Sequence, residues 1–378
     1  MSSIRHLAIT LAIAAAGALY APIKLLPTRN RVTIISRQSN SPSLDIRYLV
    51  AALERLADPP EVVVLTRRLE PGLADRLGYI LHILHQMVSV ATSKVLVLDT
   101  YSIVASVLSH KRSLHIVQMW HATGAFKKFG LSTVGQPDGA DPDIARLMRM
   151  HQGYHTVVAS GPAAVAPFAE SLGTPEERVV VCPLPRFDFL RDGEAKKEVR
   201  RRILAAFPEL VDRKVLLFAP TLGLSRQGRT SITSRLEAIA EEAGFALISS
   251  FHPVQERRVS GHRREAEFST LEWLTVAQVF VTDRSSLIFE AAYLGLGVHV
   301  FPFVRPRPLL NDSSHLDRDL LDRLMVSDAG TLQSRIVAGR DNSDVAALLR
   351  ERYLRFPSGK SCSDELAALI AQRGELGR

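Results

Sequence analysis

Short apolar runs alternate with amphipathic stretches along most of the chain. In the first half, helical patterns at 44–56 and 77–89 separate runs that are typical of buried strands. These predicted strands are RVTIIS (31–36), EVVVL (61–65), KVLVL (94–98), LHIV (114–117) and TVVAS (156–160). Strands that alternate with amphipathic helices indicate parallel sheets with helices on both faces, so we expect an α/β fold.

Residues 183–198 interrupt this pattern with prolines and charged residues, and we interpret them as a linker between two domains. A second alternating series follows, with strands predicted at 214–219, 246–250, 279–282 and 298–301. A chain of 378 residues also suits about two domains. We therefore predict an N-terminal domain at 30–188, a C-terminal domain at 189–342 and closing helices at 343–378.

Residues 7–23 carry no charge and precede both predicted domains. As a helix they would span about 25 Å, short of the roughly 30 Å hydrocarbon core of a bilayer. The alternatives are a signal peptide cleaved near 16–18, a marginal transmembrane anchor, and a helix packed on the protein's own core. We expect instead that segment 1–29 is membrane-associating and lies in the cytoplasmic leaflet. The basic residues expected to face anionic lipid are Arg5, Lys24, Arg29 and Arg31.

The composition of the chain limits which binding partners and which cellular compartment we expect. Hydrophobic residues make up 46% of the chain and charged residues 23%, as in ordinary globular proteins, while the net charge of +8 favours an anionic partner. The basic residues are scattered and form no run interleaved with aromatics, which argues against nucleic acid. Cys182 and Cys362 lie far apart without metal-type spacing, so we expect a reducing cytoplasm and neither a disulfide scaffold nor a zinc site.

The stretch from Gln118 to Gly130 places candidate chemistry just after a predicted strand. It contains Trp120, His121, Thr123 and Lys127. In open α/β sheets the ligand crevice lies beyond the carboxyl ends of the strands, so a histidine beside cations there suits anionic chemistry. A basic surface loop is the alternative.

Three predicted strands of the second series also end in polar residues. Thr221 follows strand 214–219, His252 follows strand 246–250, and 283–286 (Asp-Arg-Ser-Ser) follow strand 279–282. We predict Ser285 or Ser286 as the N-cap of a helix over 286–294, whose N–H groups could hold a phosphate. Capping alone is the alternative. Asp283 is either functional or an ordinary turn residue, and Glu290 either binds a ribose or polar headgroup or faces solvent. Together these strand ends favour a ligand cleft between two domains.

Motifs of several other chemistries are missing from the sequence. No G-x-G-x-x-G follows the first strand, and there is no P-loop, no G-x-S-x-G elbow and no HEXXH. We therefore predict no nicotinamide cofactor and assign no metal-ligating residues.

Six short motifs occur in an order that resembles the CDP-glycerol glycerophosphotransferase family, the teichoic-acid primases and polymerases. They are WHATGAFKKFG (120–130), PLPRFD (183–188), FAPTL (218–222), FHP (251–253), TDRSSLIFEAAYLG (282–295) and SGKS (358–361). The stretch 30–45 also resembles the start of that family's N-terminal domain, so the resemblance covers about residues 30–375.

The resemblance implies a GT-B-like architecture, with two Rossmann-like domains facing each other across a cleft, at the cytoplasmic face of the membrane. It implies transfer of glycerol phosphate, or a related alditol phosphate, from a CDP-alditol to a hydroxyl of a lipid-linked acceptor, with release of CMP. His121 resembles the family's proposed general base, and His252 resembles the histidine that binds the donor pyrophosphate. Substrate-binding positions are expected at Thr123, Lys127, Arg186, Thr221, Asp283, Ser285, Ser286 and Glu290.

The chain departs from the family's motifs at several positions. The first motif commonly reads W-H-G-T-P-L-K, whereas residues 122–126 here are Ala-Thr-Gly-Ala-Phe. Leu222 stands where tryptophan is common, and 225–226 (Ser-Arg) do not reproduce an acidic pair. These differences leave the alditol and the acceptor open, with ribitol an alternative to glycerol. A divalent cation is also left open, since no carboxylate cluster specifies one. A nucleotide-sugar glycosyltransferase or epimerase of GT-B type is the alternative enzyme, and a membrane-bound anion-binding protein is the non-enzymatic alternative.

Overall fold

The computed structural model describes residues 2–69, 72–137, 139–221, 226–251, 267–301, 313–338 and 342–377. The chain forms two compact units. The first comprises Met1–His121, Phe129–Asp188 and Arg355–Arg378, and the second comprises Ala122–Lys128 and Phe189–Leu354. This division differs from the predicted one in three places: segment 1–29 is part of the first unit, the closing helices are shared between the units, and Ala122–Lys128 belongs to the second.

The elements are numbered in chain order within the described residues. The strands are β1 (Arg31–Ser36), β2 (Glu61–Thr66), β3 (Val95–Leu98), β4 (His115–Gln118), β5 (Thr156–Ala159), β6 (Val179–Val181), β7 (Lys214–Phe218), β8 (Phe245–Ser249), β9 (Val279–Thr282) and β10 (Gly297–Val300). The helices are α1 (Ser2–Ile23), α2 (Leu44–Glu54), α3 (Leu73–Ala91), α4 (Ile103–Val107), α5 (Pro142–Leu147), α6 (Val165–Ser171), α7 (Arg186–Arg191), α8 (Gly193–Ala206), α9 (Arg226–Glu242), α10 (Thr270–Leu274), α11 (Ile288–Tyr293), α12 (Arg318–Leu324), α13 (Ala329–Val337), α14 (Ser343–Tyr353) and α15 (Cys362–Arg373).

The first unit is built on a six-stranded sheet with strand order β2-β1-β3-β4-β5-β6. Every pairing in it is parallel. The predicted α/β class with parallel sheets is confirmed. The strand order reverses direction between β1 and β3, because β2 lies on one side of β1 and the later strands lie on the other. Ligands of open α/β sheets bind outside the carboxyl ends of the strands at such a switch point.

The C-terminal helix α15 completes the core of the first unit. Leu366 and Ile370 are fully buried in one cluster with Ile46 and Leu49 of α2. The Asp188 carboxylate accepts hydrogen bonds from the backbone N–H groups of residues 362 and 363, at 2.6 and 2.9 Å. This carboxylate satisfies amides at the start of α15 that have no intrahelical partner. The motifs at 183–188 and 358–361 therefore meet at the start of one helix.

Helix α1 confirms the predicted N-terminal apolar helix. Its Ile4–Ile23 stretch is long and apolar enough to cross a membrane, and only 6% of it is buried. Tyr20 is the buried exception, and its hydroxyl lies 2.9 Å from Nδ1 of His110. The expectation that Arg31 faces lipid is wrong: its guanidinium is mostly buried and hydrogen-bonds to Thr92 and Glu61, because Arg31 starts β1 inside the sheet.

The second unit contains a four-stranded parallel sheet with strand order β10-β9-β7-β8. Its switch point lies between β7 and β9. The short segment Ala122–Lys128 belongs to this unit because it pairs with residues 313–315: the Lys128 N–H donates to the Ser313 carbonyl at 2.7 Å, and the His315 N–H donates to the Phe126 carbonyl at 2.9 Å.

The predicted linker at 183–198 contains the boundary between the units, but it is helical. Helices α7 and α8 cover most of it, and Phe187 and Leu190 are fully buried. The prolines at 183 and 185 precede the first residue of α7, where proline does not interrupt helical hydrogen bonds.

Candidate active site

An unusual backbone conformation at Trp120 orients His121. Strand β4 ends at Gln118, and Trp120 then adopts a φ of 56°, which is rare for a bulky residue. Two contacts hold it there. Its N–H donates to the Gln118 side-chain oxygen at 3.0 Å, and its indole stacks on Phe129 with centroids 4.8 Å apart. Backbone strain of this kind is concentrated at functional sites.

The His121 ring is fixed by a backbone carbonyl of the neighbouring strand. Its Nδ1 lies 2.8 Å from the carbonyl oxygen of Asp99, the residue that follows β3. A carbonyl oxygen can only accept, so Nδ1 carries the proton in the neutral ring. The other nitrogen, Nε2, is then the basic one, which is the arrangement that a histidine general base needs.

Asp99 is a candidate site residue that we did not predict. It lies at the switch point beside β1, is 1% exposed, and its Oδ1 has no hydrogen-bond partner among the described residues. Burial, reinforced by the nearby Asp45 carboxylate, raises its pKa to about 7, against the opposing effect of the Ser36 hydroxyl. Strongly shifted carboxyl groups are concentrated at functional sites. The feature of the sequence that could have identified Asp99 was its position directly after a buried strand.

Other buried polar atoms at this sheet edge also lack hydrogen-bond partners within the described part of the chain. Thr100 Oγ1 is next to Asp99, Arg37 Nε follows β1, and Ser160 Oγ follows β5. Buried polar groups in native proteins are usually satisfied by protein, water or ligand. The carboxyl edge of the first sheet therefore offers donors and acceptors suited to a hydroxylated ligand.

Arg186, predicted to bind substrate, is placed in the first unit on protein partners. Its side chain forms a forked ion pair with Asp45, with Nε at 2.9 Å from Oδ2 and a terminal nitrogen closer still. A terminal nitrogen also donates to the backbone carbonyl of His121 at 3.0 Å. Asp45 lies in the first turn of α2, so three separate segments meet at this guanidinium.

Asp283 joins two strand ends at the switch point of the second sheet. It is 2% exposed, and its carboxylate accepts from the Thr221 N–H at 2.8 Å and from the Thr221 hydroxyl at 2.6 Å. The structure thus brings these two predicted site residues together. Asp283 fixes the position of Thr221 at the sheet edge where a ligand is expected.

Thr123 and Glu290 form a second buried pair in this unit. The Thr123 hydroxyl donates to Glu290 Oε1 at 2.6 Å, with the residues 0% and 1% exposed. The alternative that Glu290 faces solvent is therefore wrong. Gly124 makes the approach possible, since a Cβ there would lie 2.6 Å from the ring of Phe289 on α11.

Lys127 interacts electrostatically with charged residues at the switch point of the second sheet. The residue is exposed as a whole, yet desolvation of its ammonium group and then the charge of Arg284 lower its pKa, while the Asp283 carboxylate opposes them. A lysine and an arginine whose charges interact in this way suit an anionic ligand.

The predicted capping role of Ser285 or Ser286 is wrong. Helix α11 starts at Ile288 with Leu287 as its N-cap and no side-chain cap. The Ser285 hydroxyl instead accepts from the Leu287 N–H at 3.3 Å, because residues 285–289 first form turns with i to i+3 hydrogen bonds. Both serines are partly exposed after β9.

His252, the second predicted catalytic residue, lies outside the described residues, as do Leu222 and Ser225. Within the described ranges, His6, Asp141 and Asp143 place potential metal ligands within 4.8 Å of one another. Both carboxylates are exposed and already have protein partners. Asp141 accepts hydrogen bonds from the backbone N–H groups of Asp143 and Ile144, and Asp143 forms an ion pair with the Arg146 guanidinium. The group lies at α1 and the start of α5.

Comparison with known proteins identifies the family. The model of the family described as CDP-glycerol:poly(glycerophosphate) glycerophosphotransferase matches residues 19–296. The chain belongs to this family. It is accordingly a glycerophosphotransferase-type enzyme, and the matched range includes every site residue predicted above.

Individual relatives and solved structures are consistent with this family. The chain is 30% identical to the teichoic acid ribitol-phosphate primase of Bacillus spizizenii, over 71% of this chain and 72% of that protein. It is 23% identical to the teichoic acid glycerol-phosphate primase of Bacillus subtilis, over 57% of each chain. Its fold is similar to that of the wall teichoic acid polymerase TagF, with a TM-score of 0.71, 15% identity, and coverage of 99% of this chain and 97% of the other.

Proposed function

We propose that this enzyme transfers an alditol phosphate from a CDP-alditol to a hydroxyl group of a lipid-linked acceptor. CMP is released, and the product contributes to a teichoic acid or a related cell-surface polymer. The observation that carries the proposal is His121, whose Nδ1 is held by the Asp99 carbonyl so that Nε2 is the basic nitrogen. An alcohol is a weak nucleophile at neutral pH, and a positioned base of pKa near 7 is what this reaction requires.

The proposed step is a direct in-line displacement. Nε2 of His121 takes the proton of the acceptor hydroxyl while the acceptor oxygen bonds to the alditol-linked phosphorus. The bond from that phosphorus to the bridging oxygen breaks, and CMP leaves with the electron pair. Positioning and neutralisation of the phosphate charge should lower the barrier more than the base does.

The second unit is proposed to bind the donor. Lys127 and the Asp283–Thr221 pair supply a cation and a fixed hydroxyl at one sheet edge, and the partly exposed hydroxyls of Ser285 and Ser286 follow the neighbouring strand. Binding of the donor pyrophosphate by His252 remains a prediction from the family resemblance. The expectation that two Rossmann-like domains face each other across a cleft is part of this proposal and rests on the same resemblance.

A donor panel tests the reaction. We expect CMP release from CDP-glycerol or CDP-ribitol in the presence of a lipid-linked acceptor, and a loss of about 10²–10⁴-fold in turnover for His121→Gln. His85→Gln is the matched control, because His85 is exposed on α3 and should leave turnover unchanged. Turnover of UDP-sugars without CMP release would instead support a nucleotide-sugar enzyme, and near-normal turnover by His121→Gln would reject the assigned base.

The alditol is the open part of the donor. The ribitol-phosphate primase is the more similar of the two compared primases, at 30% against 23% identity. We therefore include both CDP-alditols as separate arms, and the ratio of their kcat/KM values identifies the substrate. Mass spectrometry of the lipid product counts the units added. The same assay with and without a chelator tests whether a divalent cation assists.

We further propose that the enzyme works at the cytoplasmic face of the membrane, with α1 in the interfacial region. Three of its apolar side chains are largely exposed to water: Ile4 at 79%, and Leu7 and Leu11 at 60%. Such a face is unfavourable in water and is stabilised by the acyl region of a leaflet.

A further inference from the structure

Arg186 contacts the backbone of the candidate base directly. Its guanidinium donates to the carbonyl oxygen of His121 at 3.0 Å, while the His121 ring is held from its other side by the Asp99 carbonyl at 2.8 Å. One hydrogen bond fixes the backbone of the residue, and the other fixes the ring. His121 is also the last residue of the first unit before the chain continues into the second. A base at the point where the chain passes from one unit to the next needs a fixed backbone if its Nε2 is to keep a constant orientation.

Asp45 in turn fixes Arg186. The carboxylate accepts from the Arg186 backbone N–H at 2.7 Å and from Nε at 2.9 Å, and it is also contacted by a terminal nitrogen. The two side chains are 15% and 4% exposed. An arginine–carboxylate pair of this kind is geometrically specific, because Nε and a terminal nitrogen meet Oδ2 while the backbone N–H meets Oδ1.

The pair neutralises the charge of Arg186 inside the first unit. An arginine that serves mainly to bind a phosphate would present its guanidinium to the ligand, whereas this one is directed at Asp45 and a backbone carbonyl. Lysine cannot replace it in this geometry, since a single ammonium nitrogen does not reproduce the planar fork.

We propose that Arg186 and Asp45 are positioning residues for the general base His121, and that Arg186 does not bind the donor. This inference rests on the proposed function, because it assumes that His121 takes the acceptor proton. Asp45 holds Arg186, Arg186 holds the His121 carbonyl, and the base keeps the direction that the Asp99 carbonyl sets.

Steady-state kinetics of Arg186→Lys and Asp45→Asn provide the first test. We expect kcat to fall about 10- to 100-fold, because a small misplacement of a reacting group has effects of this size. The KM for the CDP-alditol should stay within about twofold, because an interaction that acts through the base does not change donor binding in the ground state. Arg55→Lys is the matched control: Arg55 forms an ion pair with Asp364 on the exposed surface of the same unit, and its variant should be unchanged.

The second test needs no turnover. In the free full-length enzyme labelled with ¹⁵N-histidine, with His121 assigned by comparison with His121→Gln, we expect Nδ1 to be protonated and Nε2 to be unprotonated at neutral pH. In Arg186→Lys this preference should weaken, and the pKa read from the titration of His121 should change, while thermal unfolding shows that the variant is folded. Asp45→Asn should give the same spectral change with the arginine retained.

The outcomes separate the two proposals. An unchanged His121 spectrum with a donor KM raised about tenfold or more, as expected for loss of a charged hydrogen bond, would show that Arg186 binds the donor and would overturn the inference. An altered His121 spectrum together with no CMP release from any CDP-alditol would support the positioning role and reject the proposed reaction.

Discussion

Asp99 places a carboxyl group where the protein gives it little stabilisation. It is 1% exposed, its Oδ1 has no hydrogen-bond partner among the described residues, and its pKa is raised to about 7. A buried polar group without a partner costs free energy of folding. Its backbone carbonyl could orient His121 with any side chain attached, so the carboxyl group itself requires another explanation. Residues that reduce stability in this way are often kept for function.

Replacement of Asp99 by asparagine should stabilise the protein in a pH-dependent manner. The carboxyl pKa is about 7 in the folded state and about 3.8 in the unfolded state, so the folded protein binds more protons between these values. Stability of the native protein therefore falls as pH rises from about 4 to about 7, and Asp99→Asn escapes this loss. We expect the variant to gain on the order of 2 kcal/mol at pH 8 relative to its effect at pH 5.

Thermal unfolding at pH 5 and pH 8 measures this difference. Asp58→Asn, at an exposed position, serves as the control variant. Equal effects of Asp99→Asn at the two pH values would contradict the raised pKa. The CMP-release assay on the same variant then tests whether the carboxyl group contributes to turnover.

At the scale of elements, the pattern of apolar residues predicted the strands and their parallel arrangement well. All nine predicted strands occur within one or two residues of their positions, because each is a short, mostly apolar run in the sequence. Strand β6 was missed because its three residues are too short to show a pattern. Helix α7 was taken for a linker because the prolines and charges around it hide the apolar spacing of Phe187 and Leu190.

The partners within the candidate site were harder to predict. The sequence placed His121, Thr221 and Asp283 at strand ends, since a strand end can be read from the chain itself. It did not indicate that Arg186 meets Asp45, 141 residues away, or that Thr123 meets Glu290, 167 residues away. Such pairs depend on strand order and helix packing, which a single sequence does not specify. The αL conformation of Trp120 was equally hidden, because a non-glycine residue carries no signal for it.

The departure from the family's first motif has a packing explanation at Gly124. A Cβ at this position would lie 2.6 Å from the ring of Phe289 and 3.0 Å from that of Tyr353. The Phe289 ring is fully buried and packs on Tyr353 with centroids 4.7 Å apart, so it cannot move aside easily. Gly124 is therefore matched to α11 and α14 of this chain.

Gly124→Ala should destabilise the second unit by about 1–3 kcal/mol, the usual cost of overpacking a core. Phe289→Leu combined with Gly124→Ala should recover part of that loss, because the smaller side chain makes room for the new methyl group. Urea unfolding of the two single variants and the double variant measures the coupling between the positions. If the two effects simply add, the contact between Gly124 and Phe289 does not explain the glycine.

At the scale of the whole molecule, the motif at 120–130 contributes residues to both compact units. Trp120 and His121 belong to the first unit, whereas the following segment Ala122–Lys128 belongs to the second. The first part contains the proposed base His121, and the second contains Thr123, Lys127 and the glycine that packs on α11. A substitution in this motif can therefore affect either unit, and activity alone will not distinguish the two effects.

In the proposed association with the membrane, helix α1 is the element that contacts lipid. Near its start, His6 lies within 4.8 Å of carboxylates on α5, and near its end Tyr20 hydrogen-bonds to His110. Both ends of α1 thus lie against other parts of the first unit. This favours a helix that lies along the protein over one that leaves it to cross a bilayer. The exposed face of Ile4, Leu7 and Leu11 then points away from the protein and is available to a leaflet.

Two measurements distinguish the arrangements of α1. An epitope placed before Met1 should be accessible only after the cells are permeabilised if α1 lies in the cytoplasmic leaflet; accessibility in intact cells indicates a spanning helix, and loss of the epitope from the mature protein indicates cleavage. The double variant Leu7→Asp/Leu11→Asp should weaken binding to vesicles containing phosphatidylglycerol by more than about tenfold, since burial of each leucine contributes about 1.5–3 kcal/mol. Val337→Asp is the matched control, because Val337 is 52% exposed on α13 of the second unit. Unchanged vesicle binding by the double variant would show that this face does not contact lipid.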